Sequence, residues 1–456
     1  MSCATALFAA TDDEIWGALR FPPTLHGARH AAMGSAGIAM VGDATATLTN
    51  PARLPAALDP EVLFEVRSQD PDETALESGL LQFDPSINPF AGSSFSTEAA
   101  PDDDPEGMLA FVWPFDLARP LVLGGSIDAT SSALTAGSSV TTIPLSAPVT
   151  PNGGDEVTRI SSGTLESKSA NITLGAGYGI TPDFWIGASA LFAQLEVDAI
   201  STGLLADPLQ FTGPGMFDPR YQTSAPQPLR TTVTDDSDTG IGFSVGVFFR
   251  PHPTLGLATL YRGGPRFELP GTTTDLLTGT EVSFTNTIKV PDRASIGAAW
   301  TPFLSHGSSS LRTLVFALDV EHVSYSDLVE DFVPGRNILT SSDFVQSATF
   351  EADDATEVHF GTEWRMIHPS WSLALRAGAY LDENASIHLT DISGDVGGLQ
   401  GQSGALIEGG FFEETDSEVH VTGGLGFSGQ SFDLDFAVDA ADPSTRIILS
   451  TRYRFR

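Results

Sequence analysis

A chain of 456 residues with a net charge of −36 and one cysteine excludes several classes of protein. The lone Cys3 rules out an intramolecular disulfide, and so acidic a chain does not suit nucleic acid, whose phosphates require a basic face. No run of about eighteen uncharged apolar residues occurs, which excludes membrane-spanning helices. A β-barrel remains open, because its strands show only short stretches of alternation.

The first residues predict little about targeting. Ala4–Ala10 is a short apolar run without the basic residues that begin a signal peptide. We therefore expect that an export signal was trimmed or lies upstream. Cys3 is interpreted either as an incidental residue left from a signal peptide or as a lipid-anchored one.

The segment 25–57 differs in composition from everything that follows. It is rich in Gly and Ala, runs through Gly34–Ala39, and ends in Asn50–Pro51–Ala52. Small residues suit short helices and turns that approach other backbone closely, and Asn-Pro stops a helix and favours a turn. The segment is too small and too weakly amphipathic to be an independent helical domain.

From Glu61 onward, alternating apolar and polar residues predict fourteen strands. In Ile241–Arg250, for example, the odd positions are apolar while the even ones carry Gly, Ser and Arg. The predicted strands are 61–68, 107–115, 120–130, 168–180, 184–198, 236–250, 254–266, 286–302, 311–324, 348–366, 370–382, 417–428, 431–440 and 444–455.

The connections between these strands alternate between long and short along almost the whole chain. The short ones carry turn residues, as in Thr181–Pro182–Asp183 and Pro251–His252–Pro253. Bacterial outer-membrane barrels have short periplasmic turns, long external loops and an even number of strands, whereas a sandwich has no reason to sort its loops in this way. The pattern therefore predicts an all-β, 14-stranded antiparallel transmembrane β-barrel.

The polarity of the strands predicts which face meets lipid. A charge facing lipid costs about 2–4 kcal/mol near the midplane, so the charged residues of the final hairpin must face the lumen. A register that pairs Asp439 with Arg446 also pairs Asp433 with Arg452. These lumen pairs are interpreted as structural, with guidance of a ligand as the second possibility.

Some strand glycines and one long loop are candidates for contact with other groups. Glycines at inward positions would leave room for a segment inside the barrel, or would ease strand curvature. They are Gly124, Gly175, Gly177, Gly242, Gly246, Gly424 and Gly426. The loop 200–228 carries unusually large apolar residues, which either cap the barrel mouth or form a landing site for an apolar ligand. They are Leu204, Leu205, Leu209, Phe211, Met216 and Phe217.

Other motifs point away from catalysis and cofactors. Gly242–Gly246 has the spacing of a hydrolase nucleophile elbow but lies inside an alternating strand with no helix after it. The nine histidines show no zinc-binding spacing, and the acidic runs near Asp70 and Asp102 are interpreted as solvated loop charge or as contacts for divalent ions. We predict no enzyme activity, no cofactor and no resident metal.

The small-residue run Gly34–Ala39 together with Asn50–Pro51–Ala52 resembles the N-terminal plug of the FadL-like long-chain fatty acid transporters. Members of this outer-membrane family carry a plug, or hatch, with an Asn-Pro-Ala motif inside a fourteen-stranded barrel. The strand count and the aromatic final strand extend the resemblance over the chain. It implies a hatch at 1–58, with Gly34, Gly37 and Asn50–Ala52 in its motif, and a barrel at 59–456.

The resemblance also implies a function and a set of partners. The expected function is passive uptake of hydrophobic small molecules such as long-chain fatty acids or hydrocarbons. The expected partners are that ligand, the lipid bilayer with its lipopolysaccharide, and the barrel assembly machinery, for a monomer in the bacterial outer membrane. The alternative is a barrel for secretion or surface attachment that binds proteins through its loops.

Overall fold

Fourteen wall strands form a closed antiparallel barrel in the computed structural model of the protein. The first wall strand pairs on one side with the second and on the other with the last, where Glu61 lies opposite Arg454. The predicted fold class is confirmed. The structure describes residues 27–40, 42–71, 77–82, 92–100, 106–144, 156–206, 227–276, 279–304, 311–329, 347–383, 388–393, 417–441 and 444–455.

The described residues contain twenty strands, and two wall strands are interrupted: β9 continues as β10, and β11 continues as β12. The strands are β1 (Glu61–Pro71), β2 (Glu77–Gln82), β3 (Gly92–Ala100), β4 (Glu106–Phe115), β5 (Leu121–Pro144), β6 (Glu156–Thr181), β7 (Phe184–Ala206), β8 (Gln227–His252), β9 (Leu255–Gly263), β10 (Arg266–Asp275), β11 (Glu281–Lys289), β12 (Arg293–Leu304), β13 (Leu311–Val323), β14 (Ser347–Glu351), β15 (Ala355–His368), β16 (Trp371–Asp382), β17 (His388–Ser393), β18 (Glu418–Ser428), β19 (Phe432–Ala440) and β20 (Ser444–Arg454).

Several strands reach further than the alternation predicted. Residues 131–167 were expected to form one long loop, but β5 runs to Pro144 and β6 begins at Glu156. These added lengths are rich in Ser, Thr and Gly, so they show no apolar period from which a strand can be predicted. The predicted strand 348–366 was wrong as a single element, because β14 pairs with β17 in a separate two-stranded sheet and β15 begins at Ala355.

The two faces of the wall differ as the alternation predicted. On β8 the outward Ile241, Phe243 and Val245 are half exposed or more, while Ser244 points inward and hydrogen-bonds Ser189 across the lumen face. An apolar outer surface on a closed barrel is the arrangement that lipid requires. None of the helices in the described ranges is long and apolar enough to cross a membrane.

Residues 27–57 lie inside the barrel and are called the hatch segment below. They form helix α1 (Ala28–Ala31), helix α2 (Ala46–Thr49) and a 3-10 helix (Pro51–Ala56). A second 3-10 helix, Tyr325–Val329, follows β13. The hatch segment packs against β5 to β8 on one side and against β18 to β20 on the other.

Candidate functional site

The hatch segment rests on glycines of nine wall strands, which we call the glycine seat. A Cβ at each of these positions would touch a hatch atom, and at most of them it would overlap one: at Gly361 the Met33 carbonyl, and at Gly187 the backbone of Pro51. The seat consists of Gly124, Gly175, Gly177, Gly187, Gly246, Gly256, Gly297, Gly361, Gly378 and Gly424. Close approach of hatch backbone or of a hatch side chain explains why the wall carries glycine at these positions.

Five of the seven glycines that the sequence suggested belong to this seat. The other two do not contact the hatch segment: Gly242 lies against Gly263 and Pro265, and Gly426 lies against Arg376 and Asp435. Both are lumen-facing, but neighbouring wall residues fill the space over them. Alternation identifies the face of a strand, and it does not tell which group covers that face.

Asn50 is the first residue of the predicted Asn-Pro-Ala motif and is completely buried. Its amide Nδ2 donates to the carbonyl of Ile38 at 2.9 Å, and its Oδ1 accepts from the Ala52 amide at 3.0 Å. Pro51 begins the 3-10 helix, where a missing N–H costs nothing. The motif therefore caps this helix and joins it to the earlier turn of the hatch segment.

Gly34 and Gly37 lie in a tight turn that the wall holds through its polar side chains. Gly34 has a φ of 62° and Ser35 one of 57°, both in the left-handed region. The Gly34 amide donates to Thr422 Oγ1 at 2.8 Å, and Asp319 accepts from the Gly37 amide at 2.6 Å. Asp319 also accepts from the Ile38 amide at 3.0 Å, and His359 Nδ1 lies 3.0 Å from the Gly34 carbonyl.

Ion pairs connect the hatch segment to the wall on its other side. Arg29 pairs with Glu363 at 3.0 Å, and Asp43 pairs with Arg452 at 3.2 Å. Burial would raise the pKa of Asp43, but Arg452 and the hydrogen bonds of Thr45 outweigh it and keep this pKa below its usual value. The beginning and the middle of the hatch segment are thus fixed by charge as well as by packing.

The two predicted lumen pairs are opposite each other in the β19–β20 register. Asp433 forms a close ion pair with Arg452 and a second one with Arg454 at 2.6 Å. Asp439 accepts hydrogen bonds from Tyr380 at 2.9 Å and from His420 at 3.0 Å. Arg452, which bridges Asp433 and the hatch segment, therefore connects the closing hairpin directly to the hatch.

A small polar cavity lies between α1 and the closing hairpin. Its volume of about 10 Å³ is room for one water. Its lining includes Arg29, His30, Asp43, Asp435 and Arg452. Neither ring nitrogen of the buried His30 has a hydrogen-bond partner in the described part of the chain. The hatch segment is therefore packed closely against the wall here.

An apolar cluster without any hatch residue lies toward the long-loop end of the barrel. It joins the lumen face of β7 to the inner faces of β10 and β11, and all its side chains are at most 6% exposed. Its members are Ala193, Leu195, Val197, Ala199, Phe267, Leu269 and Ile288. Its side chains pack on one another, whereas other apolar wall residues of the lumen, such as Trp185, Phe248 and Leu260, pack against the hatch segment.

The predicted landing loop is placed only in part. Leu204 and Leu205 do not lie in a loop: they belong to the end of β7, where they pair with Ile160 and Arg159 of β6. The strand continues because its extracellular part pairs with two long neighbours. Leu209, Phe211, Met216 and Phe217 lie outside the described residues.

Several solved structures are similar to this chain over nearly its full length. The CymD monoaromatic hydrocarbon channel matches 96% of this chain and 99% of its own, with 14% identity and a TM-score of 0.55. A Pseudomonas aeruginosa FadL homologue matches 95% and 99%, with 14% identity and a TM-score of 0.55. The Ralstonia pickettii toluene transporter TbuX matches 94% and 98%, with 16% identity and a TM-score of 0.51.

The chain has the FadL-like fold. The predicted resemblance is thereby confirmed at the level of the fold. No protein-family model matches the chain, and no curated protein matches its sequence. In this FadL-like barrel the segment that carried the resemblance, 34–52, occupies the lumen.

Sequence reasoning missed the wall residues that hold the hatch segment. Asp319, His359 and Glu363 lie at lumen positions of strands that were predicted, but many other polar residues share those faces. Their partners are backbone groups or an arginine almost 300 residues away or more, for which one sequence carries no signal. Arg262, which donates to the Thr49 carbonyl at 2.9 Å, was missed for the same reason.

Proposed function

We propose that the protein is an outer-membrane channel for passive uptake of hydrophobic small molecules such as long-chain fatty acids or hydrocarbons. The observation that carries this proposal is a small-residue hatch seated in the lumen of a closed barrel, with an apolar cluster toward the external loops. Solved structures with the same fold include channels for monoaromatic hydrocarbons and toluene. Their full-length similarity supports the proposal.

The path follows from the chemistry of the two regions. An apolar molecule gains about 25 cal/mol for each Å² of apolar surface that it removes from water, so the cluster around Leu195 and Phe267 favours its capture. The hydrogen bonds, ion pairs and apolar contacts that hold the hatch segment in the lumen are noncovalent and can break and re-form. Movement of the turn at Gly34–Ile38 or of the Asn50 motif would open a path through the barrel. The apolar molecule would then diffuse along this path down its concentration gradient.

The organisation around this path completes the proposal. Residues 1–58 form the hatch domain and 59–456 the barrel, which works as a monomer in the outer membrane. The apolar outer wall faces lipid and lipopolysaccharide after insertion by the assembly machinery. The ion pair of Asp433 with Arg452 and the hydrogen bonds of Asp439 with Tyr380 and His420 keep the closing hairpin in place.

The test is uptake by intact cells, because the lipopolysaccharide leaflet is the barrier that the channel would bypass. A Gram-negative host that lacks its own long-chain fatty acid channel is given radiolabelled oleate or toluene, with and without the protein. Equal amounts of folded barrel are verified by the shift in gel mobility on heating. We expect faster uptake of at least one probe, and rates equal to those of empty cells for both would overturn the proposal.

A further inference from the structure

Strands β10 and β11 form a hairpin, called the arm below, that is separated from the wall by a break in both strands. Gly264 and Pro265 interrupt one strand, and Val290 to Asp292 interrupt the other. The two breaks lie side by side, since the Val290 amide donates to the Pro265 carbonyl at 2.9 Å. Pro265 and Pro291 cannot donate to a ladder, and a Cβ at Gly264 would overlap the Val290 carbonyl.

Beyond this break the arm leaves its neighbour in the wall and bends into the lumen. β8 pairs with β9 as far as Phe243 opposite Gly263, and then with β10 only from Val233 opposite Thr272. Residues 234–242 and 264–271 between these pairs form no ladder with each other. Instead, Pro265 and the Arg266 carbonyl lie over the lumen side of Gly240.

The break lies at the outer edge of the lipid-facing band. Ile241 and Tyr261 are exposed on their wall strands at this level, and beyond Ile241 the outer face of β8 carries the polar Thr239, Ser237 and Asp235 before the exposed Val233. Aromatic residues such as Tyr261 are enriched at this boundary. The arm therefore stands on the external side of the membrane, above the hatch segment.

Near its base, the inner face of the arm is apolar and buried. Phe267, Leu269 and Ile288 pack against Leu195 and its neighbours on the lumen face of β7. The arm is held against the wall by four ladder pairs to β8, by the Glu268 amide, which donates to Asp238 Oδ2 at 2.7 Å, and by the apolar contacts of this cluster. An apolar molecule that reached the cluster would replace the same contacts.

Charged groups connect the base of the arm to the wall at the break. Lys289 pairs with Asp327 at 2.7 Å, and Asp292 accepts from the Gly264 amide at 3.0 Å and from Tyr261 at 2.6 Å. All of these groups retain contact with solvent. Ion pairs that retain solvent contact are weak, so this connection guides the arm without fixing it.

One residue at the break also contacts the hatch segment. Arg262, immediately before the break, lies opposite Arg293 and donates to the carbonyl of Thr49 at 2.9 Å. Thr49 precedes Asn50, whose side chain joins the two turns of the hatch segment. A change of backbone direction at Gly263 would therefore reach the hatch through one hydrogen bond.

We propose that the arm is a ligand-responsive lid. An apolar molecule inserts between the arm and β7, the arm pivots about Gly264–Pro265 and Val290–Asp292, and Arg262 transmits the movement to the hatch segment at Thr49. The inference rests on the proposed function and adds how arrival of the ligand outside is coupled to opening of the hatch inside. Arg262 acts in it as a positioning residue.

A disulfide that fixes the arm to the wall tests the lid. Val233 and Thr272 are cross-strand partners of β8 and β10, and such pairs have a separation suited to a disulfide. In a Cys3→Ser background, Val233→Cys with Thr272→Cys should lower oleate uptake by about tenfold when oxidised and restore it on reduction. The matched control is Asp198→Cys with Asp235→Cys, which joins β7 to β8 and leaves the arm free.

The outcomes separate the two proposals. If wild type takes up oleate and the oxidised Val233→Cys with Thr272→Cys variant takes it up at the same rate, the lid is overturned and the channel function stands. Lack of uptake by wild type would overturn the function itself. Equal loss of uptake in the control pair would also count against the lid, because it would assign the effect to stiffening of the wall.

Coupling through Arg262 is tested by hydrogen exchange in the purified protein. Oleate should speed exchange of the Thr49, Asn50 and Ala52 amides in wild type, and Arg262→Met should abolish this response while oleate still perturbs the arm. Arg262→Lys, which keeps a donor, should retain part of the response. Identical responses in wild type and Arg262→Met would overturn the coupling.

Discussion

Asp319 differs from the other buried carboxylates that contact the hatch segment. Glu363 and Glu61 are each paired with arginine, whereas Asp319 accepts hydrogen bonds from the amides of Gly37 and Ile38. A buried carboxylate is stable only where donors surround it, so this acid and the hatch turn depend on each other. Together with Thr422 and His359, Asp319 therefore holds the turn that carries the left-handed Gly34 and Ser35.

Asp319→Ala should loosen that turn without disturbing the barrel. It leaves two buried amides unpaired, at about 1–3 kcal/mol each, so we expect at least about tenfold faster hydrogen exchange at Gly37 and Ile38. Asp319→Asn keeps an oxygen acceptor and is the matched control, with a smaller effect. Exchange as slow as in wild type for Asp319→Ala would show that the wall does not hold the turn through this residue.

Gly361→Ala should displace the hatch segment, because its new Cβ would overlap the Met33 carbonyl. The methyl group meets backbone atoms, which cannot rotate away as a flexible side chain does. Gly423→Ala is the control, since its nearest neighbour would be the Arg376 carbonyl at 3.8 Å. In planar bilayers we expect the Gly361→Ala barrel to leak ions and the Gly423→Ala barrel to remain closed. If neither variant conducts ions, the role of the glycine seat is contradicted.

At the scale of the element, alternation was enough to predict the wall but not its extensions. Strand β8 was predicted at 236–250 but begins at Gln227. The prediction stopped short because the external part of the strand is largely polar on both faces and shows no alternation. The arm was predicted only as the ends of two wall strands. Its inward bend depends on Gly240 and Gly264 accepting close backbone contacts from other strands, and no local pattern reports such contacts.

The hatch motif shows the same division between local and distant information. The turn at Asn50–Pro51 could be predicted, because Asn-Pro stops a helix in any surroundings. The bond from Asn50 to the Ile38 carbonyl could not, since it depends on how two turns of the segment come together. Sequence alone therefore identified the segment but not the contacts that hold it.

Helix α1 should make the hatch segment sensitive to acid through His30. Burial, followed by the charge of Arg262, lowers the pKa of this histidine to about 4 from an ordinary 6.5. The unfolded segment then binds more protons than the folded one between these values, so stability falls as the pH drops through that window. We expect the segment to be less stable at pH 5 than at pH 7.5 by about 2 kcal/mol.

Hydrogen exchange across Ala28–Ala36, corrected for the intrinsic effect of pH, measures this change. His30→Leu removes the titrating group and should abolish the extra loss of protection at pH 5. The same pH dependence in His30→Leu and wild type would assign the effect to another group.

At the scale of the whole molecule, the wall does not need the hatch segment for its own hydrogen bonds. Each of the fourteen wall strands is hydrogen-bonded to a wall neighbour on both sides, and β1 closes the ring with β20. Pairs such as Glu363 with Arg376 and Asp433 with Arg452 lie within the wall and would survive removal of the hatch. The barrel and the hatch are therefore separable in principle.

A barrel that begins at residue 59 behind an export signal should accordingly fold and stay open. We expect the usual shift in gel mobility on heating and, in planar bilayers, a conductance at least about ten times that of the full chain, because the glycine seat would line an empty lumen. The full chain and Gly423→Ala are the closed references. A hatchless barrel that fails to fold would show that the segment belongs to the barrel core, and one that folds but stays closed would show that the arm and loops, rather than the hatch, block the lumen.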